Sequence, residues 1–347
     1  MDPAHPHYYR NVINDDATGL VTAAPVTPPN VTAVPNNRPV TLAATNLAGG
    51  VDDDPTTLSS VEYKAALKAH EPIDDVNFIA IPDRTDADVQ LAMLAHCENM
   101  MDRFAIFDSR RGDSLFGNQD SVEAHRNGLD SARGYGALYY PWLLVAPASG
   151  TDQLLVPPSG HVAGIYARTD ARRGVFKAPA GREATLNGVL GIEKQMSNTD
   201  QGQLNLKGIN IIRVFSTGGR AIVWGARTTA TDSNWQYVNI RRLFLFLEES
   251  IQEGIEWAVF EPNNLQLWQK LKRTITDFLT RMWRDGAIFG EKAENAFYVR
   301  IDEVLNPFSE QALGRLNIEI GIRPSYPAEF IIVRIGIWDG GSQVSEG

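Results

Sequence analysis

Val76-Asn77-Phe78-Ile79-Ala80-Ile81-Pro82 and Phe104-Ala105-Ile106-Phe107 are the stretches on which the fold turns. Each is a short, mainly apolar run, the pattern of a strand buried on both faces. Pro82 closes the first strand, because it has no N–H to continue a ladder. Between them, Asp86 to Met101 carries Val89, Leu91, Leu94 and Ala95 at helical spacing. Val122 to Ala132 reads as a second helix and Gly136 to Val145 as a third strand. Strand, helix, strand, helix, strand at these intervals predicts an α/β unit with a largely parallel sheet.

Downstream, Pro157 and Pro158 precede His161 to Arg168, which should open a helix with proline in its first turn. Gly174 to Gly208 reads as loop-rich. Ile209 to Phe215, the turn Thr217-Gly218-Gly219-Arg220 and Ala221 to Trp224 predict a hairpin. Val238 to Ser250 is a helix candidate, although so apolar a run also fits a strand. Leu265 to Asp285 is the clearest helix, with Leu265, Trp268, Leu271, Ile275, Phe278, Leu279 and Met282 on one stripe. Asn263 or Asn264 caps it and Gly286 stops it. Leu316 to Ile322 alternates strictly, and the bend Pro324-Ser325-Tyr326-Pro327 leads into a last strand, Phe330 to Trp338. At the other end, residues 1–57 hold 8 of the 19 prolines, which breaks helices and predicts an arm or small peripheral subdomain. The expected organisation is this arm over 1–57, an α/β domain over 58–235 and a C-terminal domain over 236–347.

The 347 residues are 43% hydrophobic and 21% charged, with one cysteine and a net charge of −10. That composition excludes a disordered chain and a disulfide scaffold, and no apolar run approaches the ~18 residues of a membrane helix. The 42 acids against 32 bases argue against a protein that grips nucleic acid backbone, which needs clustered cations. Met1 to Leu20 has no basic start followed by an apolar stretch, so a soluble chain made in a reducing compartment is expected. The acidity is uneven: residues 1–130 hold 20 acids and 9 bases, while 131–347 hold 22 and 23. Two explanations stay open, a solvated acidic surface or a layered molecule whose two parts face different surroundings.

Tests for chemistry return little. His96-Cys97-Glu98 places three possible ligands in a row on a helix, where neighbours diverge by about 100° and cannot converge on one metal. His5 and His7 have no partner cysteine or acid nearby, Arg111-Gly112-Asp113 is too short a match to weigh, and Thr217 to Arg220 lacks the lysine of a phosphate loop. No metal, cofactor or catalytic residue is expected. Pro158-Ser159-Gly160-His161-Val162-Ala163-Gly164 resembles the segment that opens the nucleophile helix of subtilisin-like serine proteases. Aligned on His161 to Gly164, however, the nucleophile position falls on Val156, which has no hydroxyl. Ser159 is a substitute, and Asp83 and Asp108 end the early strands, but no histidine segment of those proteases accompanies them. A scaffold that shares that helix geometry is the better reading, with a serine hydrolase as the alternative.

A family resemblance rests on ordered motifs: Tyr139-Tyr140-Pro141-Trp142, Val156 to Gly160, Arg168-Thr169-Asp170, Gly174 to Ala180, Leu204-Asn205 with Gly208-Ile209-Asn210, and Val223 to Thr228. Trp235 to Arg242, Phe260-Glu261-Pro262-Asn263, Gly286-Ala287, Ala296 to Val299 and Pro327-Ala328-Glu329-Phe330 complete it. The series, from about Val76 to Trp338, resembles the contractile tail sheath proteins of phages, R-type pyocins and related injection particles.

The resemblance implies a subtilisin-like α/β domain without a catalytic triad, followed by a smaller α+β C-terminal domain with extended terminal arms. It implies a non-enzymatic subunit that stacks with itself as six-fold rings around an inner tube, bounded by baseplate and terminator or cap proteins, with no nucleic acid partner and no insertion into membrane. Such a chain is made in the bacterial cytoplasm and ends in a virion tail or a released particle; a baseplate or cap protein that borrows the fold is the alternative. Two surfaces follow. The terminal strand Phe330, Ile331, Ile332, Val333, Arg334, Ile335, Gly336, Ile337 and Trp338 would join neighbouring subunits by strand addition, unless it is an ordinary internal strand. Lys270, Lys272, Arg273, Arg281 and Arg284, set against Asp277 and Asp285, would face the tube, unless they are a solvated helix face. The Pro-Gly-Val-Tyr-like opening of such proteins is not found after Met1, so a truncated chain or a different arm is expected.

Overall fold

In the computed structural model, residues 58–117, 119–147, 152–215 and 219–330 are described; residues 1–57 and most of the last predicted strand lie outside them. The first element, α1 (Ser60–Ala69), starts at a capping box. The Ser59 side chain accepts from the helix backbone and Glu62 accepts from the Ser59 N–H at 2.8 Å. Then β1 (Phe78–Ala80), α2 (Ala87–Met100) and β2 (Phe104–Asp108) fall where the opening stretches place them.

Two expectations shorten here. The helix expected over 122–132 is only α3 (Val122–Asn127), because Gly128 caps it and the chain turns to bury Leu129. The strand expected to run from 136 to 145 is β3 (Gly136–Tyr140) and a separate β4 (Leu143–Val145). Pro141, without an N–H, ends β3, and β4 joins a different sheet with β5 (Leu154–Val156) and β6 (Val189–Ile192), antiparallel to both.

Between β5 and β6 runs α4 (Ser159–Arg173), longer than its apolar run. The stretch read as loop-rich contains both β6 and a helix, α5 (Asn198–Leu206). Ser197 and Asp200 form a second capping box there, but only Leu204 and Asn205 are buried, so hydrophobic periodicity is silent. The hairpin forms as expected: β7 (Ile209–Arg213) pairs antiparallel with β8 (Ile222–Val223), and part of its turn, residues 216–218, is outside the described residues. The main sheet has the order β1-β2-β3-β7-β8, with the first four strands parallel. Its central strands β2 and β3 are buried at every position, as apolar runs in a covered parallel sheet require.

The ambiguous run is helical, α6 (Val238–Ile255). Its apolar character has a cause: Val238 and Leu245 enter the core of the α/β unit, while Leu243 and Leu247 enter a second core. That second core is shared with α7 (Leu265–Arg284), β9 (Phe297–Arg300) and β10 (Glu319–Ile322), with α8 (Phe308–Ala312) between the two strands. Asn264 caps α7, and Gly286 follows its end with φ of 87°. Leu267, Trp268, Leu271, Ile275 and Leu279 are its buried face, each worth about 2 kcal/mol on burial. Leu265, placed on that stripe by the sequence, is 59% exposed; as the first helical residue it lies at the rim, and Leu267 takes its place.

Candidate assembly surfaces

Ser159, the nucleophile substitute, is fully buried at the start of α4. Its N–H donates to Asp108 Oδ1 at 2.7 Å and its hydroxyl to Asp108 Oδ2 at 2.6 Å. Asp108 ends β2, so a carboxylate from the sheet caps the N-terminus of the helix packed on it. Burial pushes the Asp108 carboxyl up to about 6, against the lowering effect of the Ser159 bonds. Among the described residues no histidine bonds the Ser159 hydroxyl: His125 Nε2 lies 2.7 Å from Gln90 Oε1, and His161 is half-buried. Cys97 is buried too, its thiol pushed up to about 12 by burial. The arrangement can hold a helix; it presents no nucleophile to solvent.

Lys270, Lys272, Arg273, Arg281 and Arg284 are all exposed on α7. At 100° per residue, Lys270, Arg273, Arg281 and Arg284 fall within an arc of about 80°, while Lys272 projects about 140° from the arc's centre. The structure thus groups four of the five cations and sets Lys272 aside. Asp277 lies in that arc, 3.9 Å from Arg273, and Lys270 Nζ sits 3.8 Å from the centre of the Trp257 ring. Both members of the Arg273–Asp277 pair are well exposed, so that contact contributes little to stability.

Of the predicted terminal strand only Phe330 is within the described residues, and it is 62% exposed; Ile331 to Trp338 lie outside them. Near it, β9 and β10 form a two-stranded ribbon in which Glu319 faces Arg300 and Ile322 faces Phe297. Among the described residues each of these strands is paired on one side only.

Just before Phe330 is a cluster that sequence reading did not single out. Glu329 receives both arms of Arg227, Nε to Oε1 at 2.9 Å and Nη2 to Oε2 at 2.6 Å. Asn205 Nδ2 donates to Oε1 at 2.6 Å and the Tyr237 hydroxyl to Oε2 at 2.9 Å. Burial pushes the Glu329 carboxyl up, but the bonds from Arg227 and Asn205 outweigh it and hold the group below its ordinary range. All four residues fall in the ordered motifs, so the signal was present, although spacing alone does not bring positions 205, 227, 237 and 329 together.

The phage tail sheath protein central domain matches residues 57–229, and the phage tail sheath C-terminal domain matches residues 230–337. The chain belongs to the phage tail sheath family. The tail sheath protein of Salmonella phage ViI is 23% identical over 93% of this chain and 48% of its own length. The sheath of an extracellular contractile injection system (PVC) in the contracted state is 32% identical, with a TM-score of 0.67 over 80% of this chain and 78% of the other. The anti-feeding prophage baseplate, a six-fold symmetrised assembly, contains a chain 34% identical with the same TM-score, over 79% and 72%. This sheath-family chain spans about half the length of the curated relatives it matches. Its family is a structural one, and the mixed α/β architecture is that of its sheath neighbours.

Proposed function

We propose that this chain is a wall subunit of a contractile tail sheath. Copies stack as six-fold rings around an inner tube, and the wall shortens and widens to drive that tube through a target envelope. The energy comes from the metastable extended lattice, so no nucleotide is consumed. Residues 58–235 serve as the subtilisin-like α/β domain and 236–347 as the C-terminal domain.

One observation carries the reading. A two-stranded ribbon, paired on one side only for each strand among the described residues, lies in the same chain as an apolar run that begins at exposed Phe330. The ribbon packs on α6 and α7, and strand addition from a neighbour would extend it. The same contact explains why so apolar a terminal run is tolerated. Imaging the assembled particle tests this: copies should line the whole wall in the hundreds, whereas a baseplate or cap role places a few at one end.

The cationic face of α7 fits a partner of opposite charge, and the inner tube is the partner proposed. Replacing Lys270, Arg273 and Arg281 by Glu should weaken co-assembly with tube protein about tenfold or more, with the deficit larger at low salt because exposed charges are screened. Lys272→Glu alone should have little effect. Unchanged co-assembly of the triple variant removes this face from the tube interface.

A further inference from the structure

We infer that Glu329 is a positioning residue that fixes where the C-terminal segment leaves the α/β unit, through its clamp by Asn205, Arg227 and Tyr237. What the segment then does in a wall rests on the sheath reading; the clamp itself is a property of the single chain.

The attachments of the chain change along 323–330. Up to Ser325 it is tied to the second lobe, the elements built round the second core: the Arg323 N–H donates to the Ala296 carbonyl at 2.9 Å, the Ser325 N–H to the Ala287 carbonyl at 3.1 Å and the Ser325 hydroxyl to the Gly286 carbonyl at 2.8 Å. From Tyr326 onward the partners belong to the other lobe. The Tyr326 ring meets Tyr237 edge-on at 6.2 Å, and Glu329 enters the clamp. The Arg227 and Glu329 side chains are only 12% and 16% exposed, so water screens the pair weakly.

Arg227 is itself fixed from below. Its N–H donates to Asn210 Oδ1 at 2.7 Å, and Asn210 Nδ2 donates to the carbonyls of Arg227 at 2.7 Å and Leu138 at 3.2 Å. Asn210 is fully buried on β7, and Leu138 is on β3. The clamp therefore links the terminal segment, through Glu329, Arg227 and Asn210, to the parallel sheet. Gly225 keeps the space clear: a Cβ there would lie 3.0 Å from Asn210 Oδ1 and 3.2 Å from Asn205 Oδ1.

Backbone ¹⁵N order parameters at Tyr326, Ala328, Glu329 and Phe330, measured on the full chain in its monomeric state, test the clamp. They should fall from the rigid range, about 0.85, to below about 0.6 in Glu329→Ala and Glu329→Gln, with β2 and β3 still rigid. Arg227→Lys, which keeps the charge but loses the fork, should be intermediate. In the wild type, acid should lower these order parameters as the carboxylate facing Arg227, Asn205 and Tyr237 is protonated, and Glu329→Gln should abolish that dependence. Asp170→Asn, which weakens the Arg242 pair elsewhere, should leave 326–330 unchanged. Equal order parameters in the wild type and the Glu329 variants overturn the inference, and so does an equal loss of order in Asp170→Asn. Because the readout needs no polymer, a wild-type chain that builds no wall contradicts the sheath reading without touching the clamp.

Discussion

Deleting residues 330–347 should leave a folded chain that no longer builds the proposed cylinders. Among the described residues, the buried clusters draw on nothing beyond Ile322, which is itself only partly buried. Glu329 stays in the truncated chain, so its clamp stays as well. The thermal midpoint should therefore move by only a few degrees, as for a change of about 1 kcal/mol or less. Assembly, by contrast, should fall to background, because the strand proposed to join neighbours is gone. Far-ultraviolet circular dichroism reads the first quantity and sedimentation of polymer the second. Normal cylinders from the truncated chain would refute the strand joint; a collapsed fold would show that the segment belongs to the core.

Asp108→Ala should cost about 2–4 kcal/mol, since it strips the buried Ser159 N–H and hydroxyl of their acceptor. Asp108→Asn should stay within about 1 kcal/mol of the wild type at pH 7.5. Its amide oxygen can still accept the N–H, and its NH₂ can donate to a rotated Ser159 hydroxyl. The pH dependence has a definite sign. Burial raises the Asp108 carboxyl from 3.8 to about 6, so the folded chain holds this proton more tightly than the unfolded one. The stability it contributes is fully present below the unfolded value and is lost as pH rises through about 6. Relative to Asp108→Asn, the wild type should gain stability as pH falls from 7.5 to 4, by about 1–3 kcal/mol. Urea unfolding of the three proteins at both pH values measures it. A difference that is flat with pH contradicts the upward shift that burial gives this carboxyl, and an unchanged Asp108→Ala contradicts the capping role.

The parallel sheet was legible because strands buried on both faces leave unbroken apolar runs, as Phe104 to Phe107 does. α7 was legible because one face is buried and the other is charged. What escaped notice obeys other rules. α5 is held by the Ser197 and Asp200 caps and buries almost nothing, so only the cap signature marks it. β4 was read as the continuation of β3 because Leu143, Leu144 and Val145 are as apolar as the strand before them; the break lies in one residue, Pro141. α6 was ambiguous because it serves two cores and so lacks a polar face along its first half. The Glu329 clamp is the harder case, since four residues of ordinary type acquire meaning only when the fold brings positions 205, 227, 237 and 329 within hydrogen-bond distance. Ser159 and Asp108 were both singled out for chemistry, and their proximity is real, but the geometry is that of a helix cap.

The central claim is that many copies of this chain form a contractile wall, and a helical reconstruction by electron cryo-microscopy of the full chain assembled on its tube tests it most directly. The expected result is a cylinder of stacked six-fold rings in which this chain occupies every wall position, residues 331–338 pair with a neighbour's β9–β10 ribbon, and α7 faces the tube. A chain that remains a monodisperse monomer beside its tube protein, or that occurs only in a few copies at one end of the particle, would contradict it.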